Sequence, residues 1–172
     1  MLIDSFLPEY DFSEKHDIRI RATAKTVFRA LNETDLCDSF VVRWLFRLRG
    51  LPAQKVTLRE TPRLGFEILG ESENREILLG LVGKFWTLKG DIRKISPDDF
   101  RAFDEKGFAK TVWNFTLDET TGETRLTTQT RIKCLDAASR KKFGFYWSFI
   151  QPFSGLIRKE MLKTIKHRAE SF

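Results

Sequence analysis

Residues 136–170 read DAASRKKFGFYWSFIQPFSGLIRKEMLKTIKHRAE. Apolar side chains recur in this stretch at steps of three and four, which places them on one face of an α-helix. That face comprises Phe143, Trp147, Ile150, Ser154, Ile157, Met161 and Ile165. Because Asp136 is a favoured N-cap residue, we predict one long helix that begins there. Pro152 lacks a backbone donor, so we expect a kink or a break near Ile150.

A β-hairpin is predicted directly before this helix. Phe108–Leu117 and Arg125–Cys134 alternate with a period of two, and the glycine-containing turn Asp118–Glu123 joins them. Such alternation places every second side chain on the same face of a strand. The residues assigned to one face are Ala109, Thr111, Trp113, Phe115 and Leu117, followed by Leu126, Thr128, Thr130, Ile132 and Cys134.

The first third of the chain predicts a strand and two short helices after an N-terminal arm, residues 1–15. His16–Arg21 alternates as a strand does, and Thr23 is a suitable cap for the helix that follows. A second helix is expected over Val41–Leu48, ending before Gly50.

The middle of the chain predicts additional strands. Thr57 and Glu60 fit a capping box for a short helix, with a strand over 53–59 as the alternative. The strand-like segments that follow are Leu64–Glu71, Arg75–Val82, Phe85–Leu88 and Asp91–Ile95, the last two either separate or one strand bent at Gly90. Ser96 then caps a short helix.

These elements predict an α+β fold in a single domain over residues 1–172. We expect a curved antiparallel sheet of six or seven strands wrapped around the long C-terminal helix. Aromatic residues make up 13% of the chain and include 16 Phe. This excess of rings fits either a thick core or an apolar cavity.

Charge and cysteine content narrow the function classes. The net charge of +6 permits anionic partners, and the basic clusters Arg140–Lys142 and Lys163–Arg168 are either solvated helix faces or interaction patches. Cys37 and Cys134 lie far apart without metal-ligand spacing, so we expect reduced thiols and no metal site. The chain shows no signal-peptide pattern and no apolar run long enough to span a bilayer, so we expect a cytoplasmic protein.

Five stretches carry a resemblance to a known superfamily: His16–Leu31, Glu76–Trp86, Ala109–Phe115, Leu126–Ile132 and Phe153–Arg158. Together they resemble a bacterial branch of the START-like helix-grip superfamily (SRPBCC), which includes polyketide cyclases, Bet v 1-like proteins and lipid-transfer proteins. The resemblance implies that the sheet grips the final helix and that the space between them holds a sterol, lipid, polyketide or other hydrophobic ligand. Some members are enzymes and others are carriers or sensors. The superfamily has no universal catalytic motif, so the catalytic residues stay unknown.

The predicted ligand site lies between the inner strand residues and the aromatic face of the helix. Its expected lining is Phe66, Trp86, Thr111, Trp113, Phe115, Thr128, Thr130, Tyr146, Trp147, Ile150, Phe153 and Ile157. Apolar walls with few polar groups are typical of small-molecule sites, although the same rings could interlock and leave no space. The threonines and Tyr146 could orient a ligand, and Arg158 is either a solvated charge or an anchor at the mouth of the site.

Acid–base chemistry finds little support in the sequence. Only His16 and His167 could supply an imidazole, and we expect both at the surface. One of Glu67, Glu71 and Glu76 could turn a carboxylate inward, because the strand parity in this region is not readable.

We therefore expect a carrier or sensor that binds a hydrophobic small molecule or lipid without catalysis and without a cofactor. A cyclase- or dehydratase-type enzyme acting on a polyketide-like or aromatic substrate is the first alternative, so whether chemistry occurs stays open. An interaction module using the basic helix surface, with Lys163, Lys166 and Arg168, is the second. No specific nucleic acid is expected, peripheral contact with an anionic membrane stays open, and the sequence does not set the oligomeric state.

Overall fold

The computed structural model describes residues 1–35, 57–87 and 90–172. Its elements, in chain order, are α1 (Leu2–Phe6), β1 (Phe12–Ile20), α2 (Ala24–Glu33), a 3₁₀ helix (Leu58–Leu64), β2 (Glu67–Ser72), β3 (Glu76–Gly83), α3 (Pro97–Ala102), β4 (Ala109–Thr120), β5 (Glu123–Cys134) and α4 (Ala137–Ala169). The strands form one antiparallel sheet in the order β1-β5-β4-β3-β2. The predicted α+β class, with an antiparallel sheet and a long C-terminal helix, is confirmed.

The described residues contain five strands, not the predicted six or seven. The segment between β3 and α3, expected to add one or two strands, contributes among its described residues one isolated bridge, at Arg93. Before this bridge the Lys84 amide donates to the Gly90 carbonyl, and Gly90 and Asp91 adopt φ values of 71° and 42°. A left-handed backbone interrupts the extended conformation that a strand ladder requires, so the described part of this segment forms no additional strand.

The predicted hairpin is confirmed, and it forms the centre of the sheet. The register of β4 and β5 places Trp113 opposite Thr130 and Phe115 opposite Thr128. The face assigned from the alternation lies toward α2 and α4. The core on this inner face includes Ile20, Val27, Leu31, Ile77, Leu79, Phe115, Leu126, Met161 and Ile165.

A second apolar core covers the outer face of the sheet. Residues 1–15, expected to be an arm, contain α1 and the start of β1, and α1 packs against β3 and β4. This core includes Ile3, Phe6, Leu69, Leu78, Val82, Phe100, Phe108 and Val112. Arg131 holds α1 to the sheet, since its guanidinium pairs with Asp4 at 2.9 Å and donates to the Leu7 carbonyl. Because both faces are covered, every residue of β3 is buried and its sequence shows no alternation.

Side chains cap the shorter helices as predicted. Thr23 and Ser96 each accept a hydrogen bond from an amide of the first helical turn. The capping box of Thr57 and Glu60 is present at the start of the 3₁₀ helix, so the helical alternative is the one observed there. The predicted helix Val41–Leu48 lies outside the described residues, as does Cys37.

Helix α4 runs without interruption from Ala137 to Ala169, so of the kink or break expected near Ile150, the break does not occur. Pro152 removes one amide donor from the middle of this helix. Buried residues on both sides of the proline, Phe143 before it and Ile165 after it, hold the helix on the protein. Over the described residues, no helix is both long enough and apolar enough to cross a bilayer.

Asp136 is the N-cap of α4, as predicted, and it also binds the loop before β4. Its carboxylate accepts from the Ser139 hydroxyl at 2.6 Å, from the Ser139 amide at 2.9 Å and from the Gly107 amide. These hydrogen bonds, that of the Ser139 hydroxyl first, lower the pKa of Asp136 from 3.8 to about 2. Because the folded-state pKa lies below the unfolded one, this carboxylate stabilises the fold above pH 3.8, and the contribution is lost as the pH falls to about 2.

We predict that Asp136→Asn, which keeps an N-cap residue but removes the charge, flattens the loss of stability between pH 3.8 and about 2. Thermal melts of wild type and variant across this interval measure the effect. Asp98→Asn, which removes an exposed carboxylate from the first turn of α3, is the matched control. Parallel curves for wild type and Asp136→Asn would contradict the assignment.

Candidate functional site

The inner side of β1 carries two polar residues where its neighbours are apolar. Glu14 and His16 lie on the same side of the strand as Ile18, which packs against the inner core. In the sheet register Glu14 lies opposite Thr130, and His16 lies opposite Thr128. Strand β1 therefore brings a carboxylate and an imidazole to the face of the sheet on which α4 packs.

Arg158 of α4 joins this pair. Its Nη1 lies 3.4 Å from Glu14 Oε2, and Glu14 Oε1 lies 2.8 Å from His16 Nε2. Arg158 Nη2 donates to Thr130 Oγ1 at 2.7 Å, and Nη1 also donates to the hydroxyl and the carbonyl of Ser154. These five residues form a polar cluster that links the helix to the sheet.

The polar cluster is shielded from water. The side chains of Glu14, His16 and Arg158 are 8, 19 and 14% exposed. Burial lowers the pKa of Arg158 from its ordinary value, and the Glu14 carboxylate opposes that shift. Because arginine stays protonated in proteins, the buried guanidinium depends on Glu14 for charge compensation.

Gly155 allows α4 to approach β1 closely at this point. A Cβ atom on Gly155 would lie 2.7 Å from Glu14 Oε1 and 3.4 Å from His16 Nε2. The first distance is shorter than a van der Waals contact, and the hydrogen bonds to His16 and Arg158 hold the carboxylate in place. The absence of a side chain at Gly155 therefore leaves room for the Glu14–His16 hydrogen bond.

Part of the predicted lining lies together on the inner face of the sheet. The rings of Phe66 and Phe115 contact that of Trp113, with centroid distances of 5.9 and 5.0 Å. The Thr128 hydroxyl accepts from Trp113 Nε1 at 2.7 Å and donates to a carbonyl of β4. The Thr111 hydroxyl likewise donates to a carbonyl of β5. These two hydroxyls therefore connect neighbouring strands.

The other predicted lining residues lie along α4 and the loop after β3. The rings of Trp86, Tyr146 and Trp147 surround Phe143, at centroid distances of 6.2, 5.8 and 5.7 Å. Ile150 and Ile157 are half-buried, whereas Phe153 is 47% exposed. The predicted lining is thus divided between the rings around Trp113 and those around Phe143.

A surface depression of ≈ 600 Å³ adjoins the rings around Phe143. It is lined by Trp86, Lys141, Lys142, Phe145, Tyr146, Phe149 and Ile150. Three of these residues belong to the predicted lining. A second depression of ≈ 450 Å³ is lined by residues that include Lys163 and His167, and none of its lining was predicted.

The expectation that His16 lies at the surface is wrong, because its ring packs beneath α4, whereas His167 is exposed as expected. Arg158 is not a solvated charge but the helix side of a buried ion pair. The sequence does contain a signal for the buried positions of these residues. Glu14 and His16 continue the alternation of Ile18 along β1, and Arg158 lies at helical spacing from buried residues of α4. Because these three side chains are polar or charged, a search for apolar faces does not find them.

Two of the carboxylates considered for an inward position, Glu71 and Glu76, serve other contacts. Glu76 is buried toward the outer core, where it accepts from the Leu2 amide at 2.9 Å and from Asn114 at 3.1 Å. Glu71 pairs with Arg59 of the 3₁₀ helix at 2.6 Å. The carboxylate of the polar cluster therefore comes from β1, outside the region considered.

The polar cluster can act on a ligand in two ways. Its guanidinium can bind an acceptor oxygen, and its imidazole, hydrogen-bonded to a carboxylate, can move a proton. Within residues 1–35, 57–87 and 90–172, no group of His, Cys, Asp or Glu could hold a metal ion. Burial raises the pKa of the Cys134 thiol to about 12, so it is not a nucleophile at neutral pH.

Three solved structures are similar to this chain at low identity. TTHA0849 of Thermus thermophilus shares 9% identity over 93% of this chain and 98% of its own, with a TM-score of 0.39. The di-domain ARO/CYC BexL of the BE-7585A biosynthetic pathway shares 11% over 93% of this chain and 47% of its own, with a TM-score of 0.38. The Zhui aromatase/cyclase of Streptomyces sp. R1128 shares 16% over 92% of this chain and 93% of its own, with a TM-score of 0.32.

This chain thus spans about half the length of BexL. No protein-family model and no curated protein matches the sequence. Similarity at this level is too low to transfer residue roles.

We predict opposite effects for alanine at two glycines of α4. Gly144→Ala should raise the free energy of unfolding by up to about 1 kcal/mol, because alanine favours a helix. A Cβ there meets Phe12 Cζ at an ordinary 3.5 Å. Gly155→Ala should lower it by about 1–3 kcal/mol, because the added methyl displaces Glu14.

Urea unfolding of the two variants measures both effects, with Gly144→Ala as the control for helix propensity. A gain in stability for Gly155→Ala equal to that of Gly144→Ala would show that Glu14 yields without cost.

Proposed function

We propose that the protein binds a hydrophobic small molecule or lipid between the inner face of its sheet and α4. The observation that carries the proposal is the buried guanidinium of Arg158 beside an aromatic wall. In this proposal Arg158 binds an oxygen of the ligand, and the rings hold its apolar body.

Arg158 retains one unused donor. Four contacts engage its Nη atoms, but the Nε atom is buried without a hydrogen-bond partner. Buried donors are rarely left unsatisfied in folded proteins, and a charged donor binds a carboxylate or carbonyl oxygen strongly. A ligand that carries such an oxygen would satisfy this donor, although the Nε atoms of Arg131 and Arg168 are also buried without a hydrogen-bond partner.

Aromatic surface lies next to this donor. The guanidinium carbon of Arg158 is 5.9 Å from the centroid of Trp113, and Phe66 contacts Trp113 on the inner face. Trp113 and Phe66 are only half-buried, so they keep apolar surface that a ligand can cover. An apolar wall with one or two polar anchors is the usual composition of a small-molecule site.

A cyclase- or dehydratase-type enzyme is the second candidate, and the Glu14–His16 contact favours it. An imidazole held by a carboxylate is a general base or acid, and a neighbouring guanidinium stabilises an oxyanion or enolate. Both groups lie on the same side of the sheet as Trp113. This chemistry requires the same ligand position as the binding proposal and differs from it only in turnover.

The basic end of α4 gives less support to an interaction module. Lys163 pairs with Glu160, and Arg168 pairs with Glu33. Lys166 donates to a backbone carbonyl of β1. Acidic and carbonyl groups of this chain therefore already compensate much of the charge between residues 163 and 168.

Native mass spectrometry of the freshly purified protein, followed by extraction, tests for a bound hydrophobic molecule. Binding of dansyl-undecanoic acid, compared with its methyl ester, tests the anchor. We predict that Arg158→Met weakens binding of the acid by about ten- to a hundredfold, because a hydrogen bond to a charged group is lost. The exposed Arg140→Met, on the same helix, should leave binding unchanged.

Arg158→Lys keeps the charge and separates loss of the donor geometry from loss of the fold, which circular dichroism monitors. Absence of both a co-purified molecule and probe binding in wild type would overturn the proposal. If an extracted compound is converted by wild type but not by His16→Gln, while both proteins bind it equally, the enzyme candidate replaces the carrier.

A further inference from the structure

The solvent side of α4 carries a stripe of large apolar side chains. The stripe consists of Phe145, Phe149, Phe153 and Leu156, which are 72, 61, 47 and 43% exposed. Their spacing of four, four and three residues places them on one helix face, opposite the buried Phe143 and Met161. The rings of Phe145 and Phe149 lie 5.1 Å apart. Contiguous exposed apolar surface of this kind marks an interaction site.

Lysines flank the apolar stripe at both ends. The exposed lysines on this side of the helix are Lys141, Lys142, Lys159 and Lys163. The segment between them, residues 143–158, contains no Asp or Glu. Glu160, which follows it, pairs with Lys163 at 2.8 Å. Because Glu160 compensates Lys163, the positive charge at that end of the stripe comes from Lys159, and the charge at the other end comes from Lys141 and Lys142.

We propose that this face of α4 docks on an anionic lipid bilayer. The phenylalanines insert at the boundary between headgroups and acyl chains, and the lysines contact lipid phosphates. An apolar stripe bordered by lysines on an amphipathic helix matches both properties of such a surface. Lysine side chains can lie along the inserted rings and keep their ammonium groups at the headgroups.

Two rings beside the stripe suit the same surface. Trp86 and Tyr146 line the depression that also contains Phe145 and Phe149. Indole and phenol rings have an apolar body and a polar edge, and they concentrate at the membrane–water interface. The depression thus extends the apolar stripe sideways, from α4 onto the loop after β3.

The charge pattern disfavours a second copy of this chain as the occupant. If two copies paired through the stripe about a twofold axis, an antiparallel arrangement would place Lys141 and Lys142 near Lys159 and Lys163 of the second copy. A parallel arrangement would place each lysine near its own equivalent. Both bring like charges together, which opposes association. Nucleic acid would satisfy the lysines but leave the apolar stripe without an apolar environment.

Sedimentation with vesicles tests the proposal, using phosphatidylcholine alone and phosphatidylcholine mixed with phosphatidylglycerol. Wild type should bind the mixed vesicles, and binding should weaken as salt is raised. Phe145→Ala/Phe149→Ala should weaken binding at least about tenfold by removing inserted rings. Lys141→Gln/Lys142→Gln should weaken it by a similar factor, about tenfold, on mixed vesicles only.

Matched controls remove the same groups elsewhere. Phe172→Ala removes another exposed ring, and Lys25→Gln/Lys106→Gln removes two exposed charges away from α4. Both should bind as wild type does. The proposal does not depend on ligand binding, because none of these residues belongs to the polar cluster.

Four results would overturn the proposal. They are no vesicle binding by wild type, equal binding by the phenylalanine variant, a dimer in sedimentation velocity that this variant dissociates, and DNA binding without vesicle binding. Thermal melts establish that the variants are folded, as expected for changes at exposed positions.

Discussion

The ion pair between Glu14 of β1 and Arg158 of α4 is the polar constraint that the helix must satisfy where it packs on the sheet. It joins the first strand to the final helix across nearly the whole length of the chain. Removing either charge would leave the other buried without compensation, which is costly in a protein interior. Gly155 makes the pair geometrically feasible, because any side chain at that position would meet the carboxylate. The close approach of the helix to the sheet at Gly155 therefore goes together with burial of the pair.

The polar cluster around this ion pair supplies hydrogen-bonding and charged groups to the inner face of the sheet. Around it the sheet and the helix contribute apolar and aromatic side chains, so a guanidinium, a carboxylate and an imidazole lie in surroundings of low polarity. Electrostatic contacts are stronger there than in water, which suits recognition of one polar group on an otherwise apolar molecule. If Arg158 contacts a ligand as proposed, ligand affinity is coupled to the stability of the fold. Natural proteins depart from local sequence rules at such positions.

Helix α4 faces two different environments along one length. Its inner face supplies Arg158 to the polar cluster and Met161 to the core, while its outer face exposes Phe145 and Phe149. The sheet covers one side of this helix. In the membrane proposal, the lysines at the ends of the other side match the negative charge of the lipid surface. A membrane contact there would place the proposed ligand site next to a source of lipids.

Local rules were sufficient for much of the fold. The alternation in β4 and β5, the caps Thr23, Ser96 and Asp136, and the helical spacing from residue 136 onward each depend on neighbours only a few residues apart. The strand count was wrong where left-handed backbone at Gly90 and Asp91 interrupts a segment of good strand composition. The parity of β3 was unreadable because α1 covers the outer face, and a helix of five residues leaves little trace in a sequence.

Local periodicity is sufficient to predict an α+β chain with a central hairpin and a long, aromatic-rich final helix, because it depends only on residues that are near neighbours in the chain. The meeting of Glu14, His16 and Arg158 follows from long-range packing and not from any local pattern. Their contact depends on the register of β1 against β5 and on how closely α4 approaches at Gly155. The register and the helix approach are both set by the packing of the whole sheet and helix. A charged residue at a buried position does not indicate which distant residue will compensate its charge.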